Sequence, residues 1–392
     1  MQVSKRVYLE PLHKGATILQ CVTAYAEPDG LALFQQFSDL IASDTFGRFY
    51  SRRSHDNGKT WTEPVTVYDP QPTADGIWRR GESALFLDPG ARRLLHFFNY
   101  SLYSGDYHDG NVRKRHLIFY EISMDGGQTF SDARQIIQTG YDAKHWMKDV
   151  RYGENSAAIS FCMPLALPDG KIGLPCQMTP PGEFTNLLIP YRAGMLIGTW
   201  AGSDTLNWTF GEFVGVDPAL SSRGLCEPAI ARLRDGRLMM ILRGSNASMP
   251  DVPGRKWMAL SSDGGMAWSE PAPLAYDNGE LFFSPASGSA LIRHSRNGKL
   301  YWIANVTPEN PKGNGPRYPL VIAEVDEARA AICKTSLATI DTKGENDSPL
   351  LQLSNFRVHE DRATGEFVVA LARWFAAGKD YHCPSTELRI RI

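Results

Sequence analysis

The sequence contains no Cys-x-x-Cys, His-x-x-His or His-Glu-x-x-His pattern, so no zinc site is expected. Its six cysteines, Cys21, Cys162, Cys176, Cys226, Cys333 and Cys383, are scattered and mostly set in apolar runs. They read as buried thiols rather than a disulfide framework, which favours a reducing compartment. There is no Gly-x-Gly-x-x-Gly and no phosphate-binding loop, and no cofactor is expected. No run of about 18 apolar residues exists to form a membrane-spanning helix. The opening Met-Gln-Val-Ser-Lys-Arg-Val-Tyr has no apolar signal core. The chain is therefore read as cytoplasmic, or as periplasmic or secreted where a signal peptide has been removed. An excess of either charge is also missing: Lys and Arg number 41 against 43 Asp and Glu, a net charge of −2. That argues against nucleic acid or an anionic membrane as a partner. Helical periodicity over about 12 residues is absent.

What is present is β-structure that repeats. Ser54-His-Asp56-Asn-Gly58-Lys-Thr60-Trp61 reads Ser-x-Asp-x-Gly-x-Thr-Trp. Ser123 to Phe130 repeats it with Phe for Trp, and Ser261 to Trp268 keeps Ser, Asp, Gly and Trp. Gly202 to Trp208 is a worn copy, and Glu324 to Glu327 is a remnant of another. In such a turn the Asp accepts bonds from amides ahead of it, the Gly takes positive φ, and the aromatic tucks back between sheets. A second repeat is independent of the first. Tight turns at Asp29-Gly30, Asp88-Pro-Gly90, Asp169-Gly170, Asp235-Gly236, Asn297-Gly298 and Thr364-Gly365 are each followed by an apolar strand. One unit is thus strand, Asp-Gly turn, strand, variable loop, strand, box turn, outer strand. Six such four-stranded units account for the 392 residues and predict an all-β, six-bladed propeller over 1–392. Separate β-sandwiches would not require six matched turns. The last unit offers only three strands, and Lys5–Glu10 is expected to supply its fourth and close the ring.

Strand direction sorts the loops. Asp-Gly turns and box turns fall on one face. The loops between second and third strands, and those leading into first strands, fall on the other, where a rigid scaffold presents its functional residues.

These boxes, at this spacing, resemble those of the sialidase (neuraminidase) superfamily of Asp-box propellers, and the resemblance covers nearly the whole chain. It implies carbohydrate chemistry: arginines that grip a substrate carboxylate, an acid Asp, and a Tyr–Glu pair. Glu227-Pro-Ala-Ile-Ala-Arg-Leu-Arg-Asp-Gly-Arg-Leu-Met-Met-Ile-Leu-Arg243 matches the family's Glu-to-Arg segment, and Arg317 matches its third arginine. Two places depart from the pattern. Ile18–Tyr25 holds no arginine where the first belongs, and 351–356 holds no tyrosine. The chain therefore resembles a divergent member, like the sialidase-like propellers that cleave other acidic glycans, including rhamnosyl-glucuronate.

The expected site follows residue by residue. Arg243 and Arg317 suit bidentate grip of a carboxylate or sulfate. Glu227 is a base, a nucleophile or an orienting group. Asp39 and Asp44, in the first functional loop, are candidate proton donors, and His145 is an alternative acid or base. Tyr100, Tyr107 and His108 form an expected sugar-stacking wall, with Arg80, Trp146 and Asn355 as further binding candidates. The expected partner is an acidic oligosaccharide or polysaccharide. The leading function is an exo-acting glycoside hydrolase. The alternatives are a lyase acting on a uronic-acid glycan and a non-catalytic glycan-binding propeller.

Overall fold

The computed structural model describes residues 1–105, 113–185, 188–379 and 382–392, with the side chain of Gln20 left aside. Six small antiparallel sheets are arranged in a ring, a six-bladed β-propeller. Blade one contains Thr17–Tyr25, Leu33–Ala42, Thr45–Ser54 and Val65–Tyr68. Blade four contains Cys226–Arg232, Leu238–Arg243, Lys256–Ser261 and the short edge Ala272–Pro273. Blades two, three and five carry a fifth strand each. Blade six is built from Arg357–Glu360, Phe367–Ala372 and Ser385–Arg391, and Gln2–Leu9 pairs antiparallel to the last of these. Gln2 lies opposite Arg391 and Leu9 opposite Ser385.

The blades are held by apolar residues that face one another across neighbouring sheets. Phe97, Ile118 and Trp146 meet Leu174, Cys176 and Trp208 between blades two and three. Met239, Ile241 and Trp302 fill the gap between blades four and five. Trp208 and Trp302 are essentially inaccessible, and each such side chain contributes roughly 1.5–3 kcal/mol or more by leaving water. Cys21, Cys162, Cys176 and Cys226 are buried thiols.

The three well-kept boxes share one geometry. Ser54 Oγ donates to Asp56 Oδ1 at 2.8 Å and accepts the Gly58 amide at 2.8 Å, while Asp56 Oδ1 accepts the Thr60 amide at 2.8 Å. Ser123 and Ser261 make the same pair of bonds to Asp125 with Gly127, and to Asp263 with Gly265. These bonds hold the Asp56 and Asp125 carboxyls down to about 2. Gly127 is required twice over. Its φ is +84°, and a Cβ there would meet the Phe34 ring of blade one at 2.7 Å. The worn copy has lost the box: Asp204 pairs instead with Arg134 at 2.9 Å. The Glu324–Glu327 remnant keeps a small turn, with Asp326 Oδ1 accepting the Ala328 and Arg329 amides, each at 3.1 Å.

At the axis, blades on opposite sides of the ring touch. Phe161, leading into the inner strand of blade three, packs edge-on against Phe356 of blade six at 5.0 Å. Its amide donates to Glu82 of blade two at 3.3 Å, and the Arg357 guanidinium lies 4.7 Å over its ring. Gly288, leading into blade five, approaches so closely that a Cβ would sit 2.5 Å from that ring. These contacts bring blades two, three, five and six together.

Candidate active site

On the face opposite the boxes, blade four presents a row of charge. Cys226 pairs with Arg243 and Arg243 with Lys256 across the sheet, so three strands end side by side. A register slip between Cys226 and Ala229 turns Glu227, at φ +49°, out of the regular pleat. Its amide is held by Gln177 Oε1 at 2.9 Å. Glu227 Oε1 ion-pairs with Arg243 Nη1, and Oε2 is buried without a hydrogen-bond partner. Arg243 Nη2 reaches Asn314 Oδ1 at 3.3 Å.

Arg317 arrives from blade five, between two cis X-Pro bonds, Gly315–Pro316 and Tyr318–Pro319. It is 7% exposed, and its guanidinium donates to Gln352 Oε1 at 2.9 Å, Ser354 Oγ at 3.1 Å and the Ala286 carbonyl at 2.7 Å. Asn305 Nδ2, fully buried, fixes the Arg317 backbone by donating to its carbonyl at 3.1 Å. Lys256 is wholly buried and donates to the Ser287 carbonyl.

The charges in this cluster act on one another. Burial works to raise Glu227, but Arg243, Arg317 and Lys256 outweigh it and keep its carboxyl below the usual range, so it stays ionised. Burial opposes the charge on Arg243, yet Glu227 carries its pKa above the usual arginine value. Arg317 is lowered to about 10, first by burial and then by Arg243. Lys256 is lowered to about 7, first by burial, with Glu227 resisting and the two arginines adding to the fall.

Asp44 faces the same cluster from blade one. Its carboxylate acts on both Arg243 and Arg317. It sits at the tip of a tight turn at φ +51°, exposed, with its backbone carbonyl accepting Tyr103 Oη at 3.0 Å. Asp44 also borders a cavity of about 110 Å³ lined by Tyr103, Arg113, His116, Gln177 and Tyr191. His116 Nδ1 lies 2.5 Å from Ser101 Oγ, and burial pulls this imidazole down to about 4, so it is neutral near pH 7.

Several expected site residues are placed elsewhere. Asp39 was expected in a loop, but the second strand of blade one continues to Ala42, and Asp39 lies within it opposite Ile18. It is buried and accepts Tyr50 Oη at 2.9 Å, with His13 at 3.6 Å. Trp146 is 0% exposed in the core between blades two and three and offers no surface to a ligand. Arg80 turns into blade two, 4.1 Å over the Phe98 ring and 3.4 Å from Glu121. Tyr100 is half-buried and stacked on Trp78 at 4.7 Å. His145 packs against Tyr141 at 4.8 Å in a separate cleft of about 550 Å³, which none of Asp44, Glu227, Arg243 and Arg317 lines. Asn355, at φ +55°, is half-buried and follows Ser354, the partner of Arg317. Tyr107 and His108 lie outside the described residues. Among the described residues no group of three or more His, Cys, Asp or Glu could hold a metal ion. Lys256 carries no motif. The one sign of it in the sequence is a cation opening an otherwise apolar strand, Lys256-Trp-Met-Ala-Leu.

The model of the BNR repeat-like domain matches residues 43–344. The chain belongs to the BNR repeat-like family. Its structure is that of a sialidase-like BNR propeller. A protein of unknown function from Dyadobacter fermentans superposes with a TM-score of 0.66 at 15% identity, over 99% of both chains. Trypanosoma rangeli sialidase gives 0.64 at 11%, over 99% of this BNR propeller and 59% of the sialidase. NanB sialidase from Streptococcus pneumoniae gives 0.63 at 11%, over 98% and 70%. No curated protein matches. At these identities the likeness shows the fold, and the chemistry has to be argued from the site.

Proposed function

We propose that this BNR propeller is an exo-acting glycoside hydrolase that removes a terminal acidic sugar from a glycan. One observation carries the reading: three buried cations, Arg243, Arg317 and Lys256, surround one carboxylate, Glu227, whose Oε1 Arg243 already occupies. Buried charge needs a partner, and an anionic group on the ligand supplies it. The sialidase-fold neighbours support a carbohydrate ligand in general.

Roles follow from the electrostatics. Glu227 is held ionised and is therefore a poor proton donor. Asp39 is committed to Tyr50. Asp44, exposed at the mouth and facing both arginines, is assigned as the general acid that protonates the leaving oxygen. Glu227, held ionised among the cations, is assigned to stabilise the developing oxocarbenium charge.

The test is a screen of acidic oligosaccharides and polysaccharides with the wild-type protein and the Asp44→Asn, Asp39→Asn and Arg317→Ala variants. Asp44→Asn is expected to lower kcat by roughly 10²–10⁴-fold, while Asp39→Asn retains the wild-type rate. Full activity in Asp44→Asn refutes the assignment. The neutral His116 in the adjoining cavity favours one second reading, elimination across a uronic acid with His116 as the base. Ultraviolet absorbance from a new carbon–carbon double bond in the product selects that reading. Binding of glycans with no cleavage selects a non-catalytic propeller.

A further inference from the structure

Two cations meet three consecutive backbone carbonyls. Lys256 Nζ donates to the Ser287 carbonyl and lies 3.5 Å from the Pro285 carbonyl. The carbonyl between them, that of Ala286, accepts Arg317 Nη2 at 2.7 Å. Lys256 belongs to blade four, Arg317 to blade five, and residues 285–287 lead into the inner strand of blade five. The next residue, Gly288, lies so close to the Phe161 ring that a Cβ there would sit 2.5 Å from it, so the segment is tightly packed on that side.

We propose that Lys256 is a positioning residue for the anion grip: its ammonium ties down the Pro285–Ser287 turn, and that turn's middle carbonyl aims Arg317. The inference rests on the proposed function, in which Arg317 grips the anionic group. Lys256 itself does not touch the substrate.

The latch depends on a proton. The titratable or charged groups facing Lys256 are Glu227 and Cys226 on the first strand of its blade, Arg243 on the second, and Arg317 from blade five. Burial and the two arginines bring Lys256 to about 7, so the ammonium is half-populated near neutral pH. An anion seated beside Arg317 adds negative charge, favours the ammonium and draws in a proton on binding. Above neutral pH the ammonium loses its proton, the donor that reaches the Ser287 carbonyl is weakened, and Arg317 is less firmly aimed.

The experiment compares wild type, Lys256→Met and Lys256→Arg, with D-glucuronate and N-acetylneuraminate as probes. Calorimetry from about pH 6 to 9, in buffers of different ionisation enthalpy, reads affinity and proton uptake. Wild-type affinity is expected to fall up to about tenfold per pH unit above roughly pH 7, with proton uptake on binding. Lys256→Arg should keep its affinity to pH 9, and Lys256→Met should bind weakly at every pH with no uptake. Crystal structures of wild type and Lys256→Met at pH 6 give a readout that needs no ligand. Arg317 should leave the Ala286 carbonyl in the variant. An unmoved Arg317, or a Lys256→Met protein with the wild-type pH profile, overturns the proposal. Failure of wild type to bind either probe counts against the anion grip, and the structural comparison still decides the role of Lys256.

Discussion

Replacing Glu227 by Gln removes the one carboxylate from a buried cluster of three cations and leaves its shape intact. The side chains of Glu227 and Arg243 are 13% and 10% exposed, so water screens their interaction little. Breaking a buried pair by removing one partner typically costs about 3–5 kcal/mol, because the other charge stays buried. Glu227→Gln should fall in that range, since Arg243 and Arg317 are left facing each other with Lys256 behind. Arg243→Met should cost less, because Glu227 retains Lys256 and Arg317 as charged neighbours. The assay is guanidinium unfolding of wild type, both single variants and the double variant, analysed as a cycle. The direct pair should show a coupling of roughly 1–3 kcal/mol. The pH dependence has a definite sign. Glu227 has a folded pKa below its unfolded value, so its stabilisation is complete above the unfolded value, about 4.3, and is lost as pH falls through the lower folded one. The gap between wild type and Glu227→Gln should therefore narrow in acid. A coupling below about 0.5 kcal/mol, or a gap that widens in acid, refutes the picture of Glu227 as an ionised, buried counter-charge.

Two further perturbations probe the frame. Gly127→Ala puts a Cβ 2.7 Å from the Phe34 ring at φ +84°, and should cost roughly 1–3 kcal/mol in unfolding experiments, with catalytic constants unchanged because the box lies on the opposite face. Deleting residues 2–9 strips the partner from Ser385–Arg391 and bares a strand edge. The shortened protein should unfold at lower temperature and self-associate in light scattering, and a monomer of wild-type Tm would contradict the closure role.

The fold was legible because its signals are local and repeated. Each box needs only a Ser, an Asp and a Gly at fixed offsets to satisfy its own turn, and each Asp-Gly hairpin declares itself between two apolar runs. The site is another matter, because it is assembled from residues far apart in the chain. The Glu227–Arg243 segment spans one hairpin and could be read as a pair. Lys256 could not, because its role comes from Ser287 and Arg317 on the next blade. Asp39 and Asp44 looked alike in the sequence. Where the strand ends separates them: it runs on to Ala42, which buries the first in blade one and leaves the second at the mouth. Trp146 shows the opposite error. A Trp flanked by charge resembles a sugar platform, but the isolated bridge between Met147 and Val150 folds the segment back and drives the indole inward.

The crowded axis has a consequence for traffic. Phe161, Phe356 and Gly288 meet where blades three, five and six converge, so a molecule passing from one face of the propeller to the other would have to displace them. On the proposed reading, a molecule held at Arg243 and Arg317 would enter and depart by the same doorway. A long polymer would present one end to that face rather than thread the ring, and would have to back out before the next could come in.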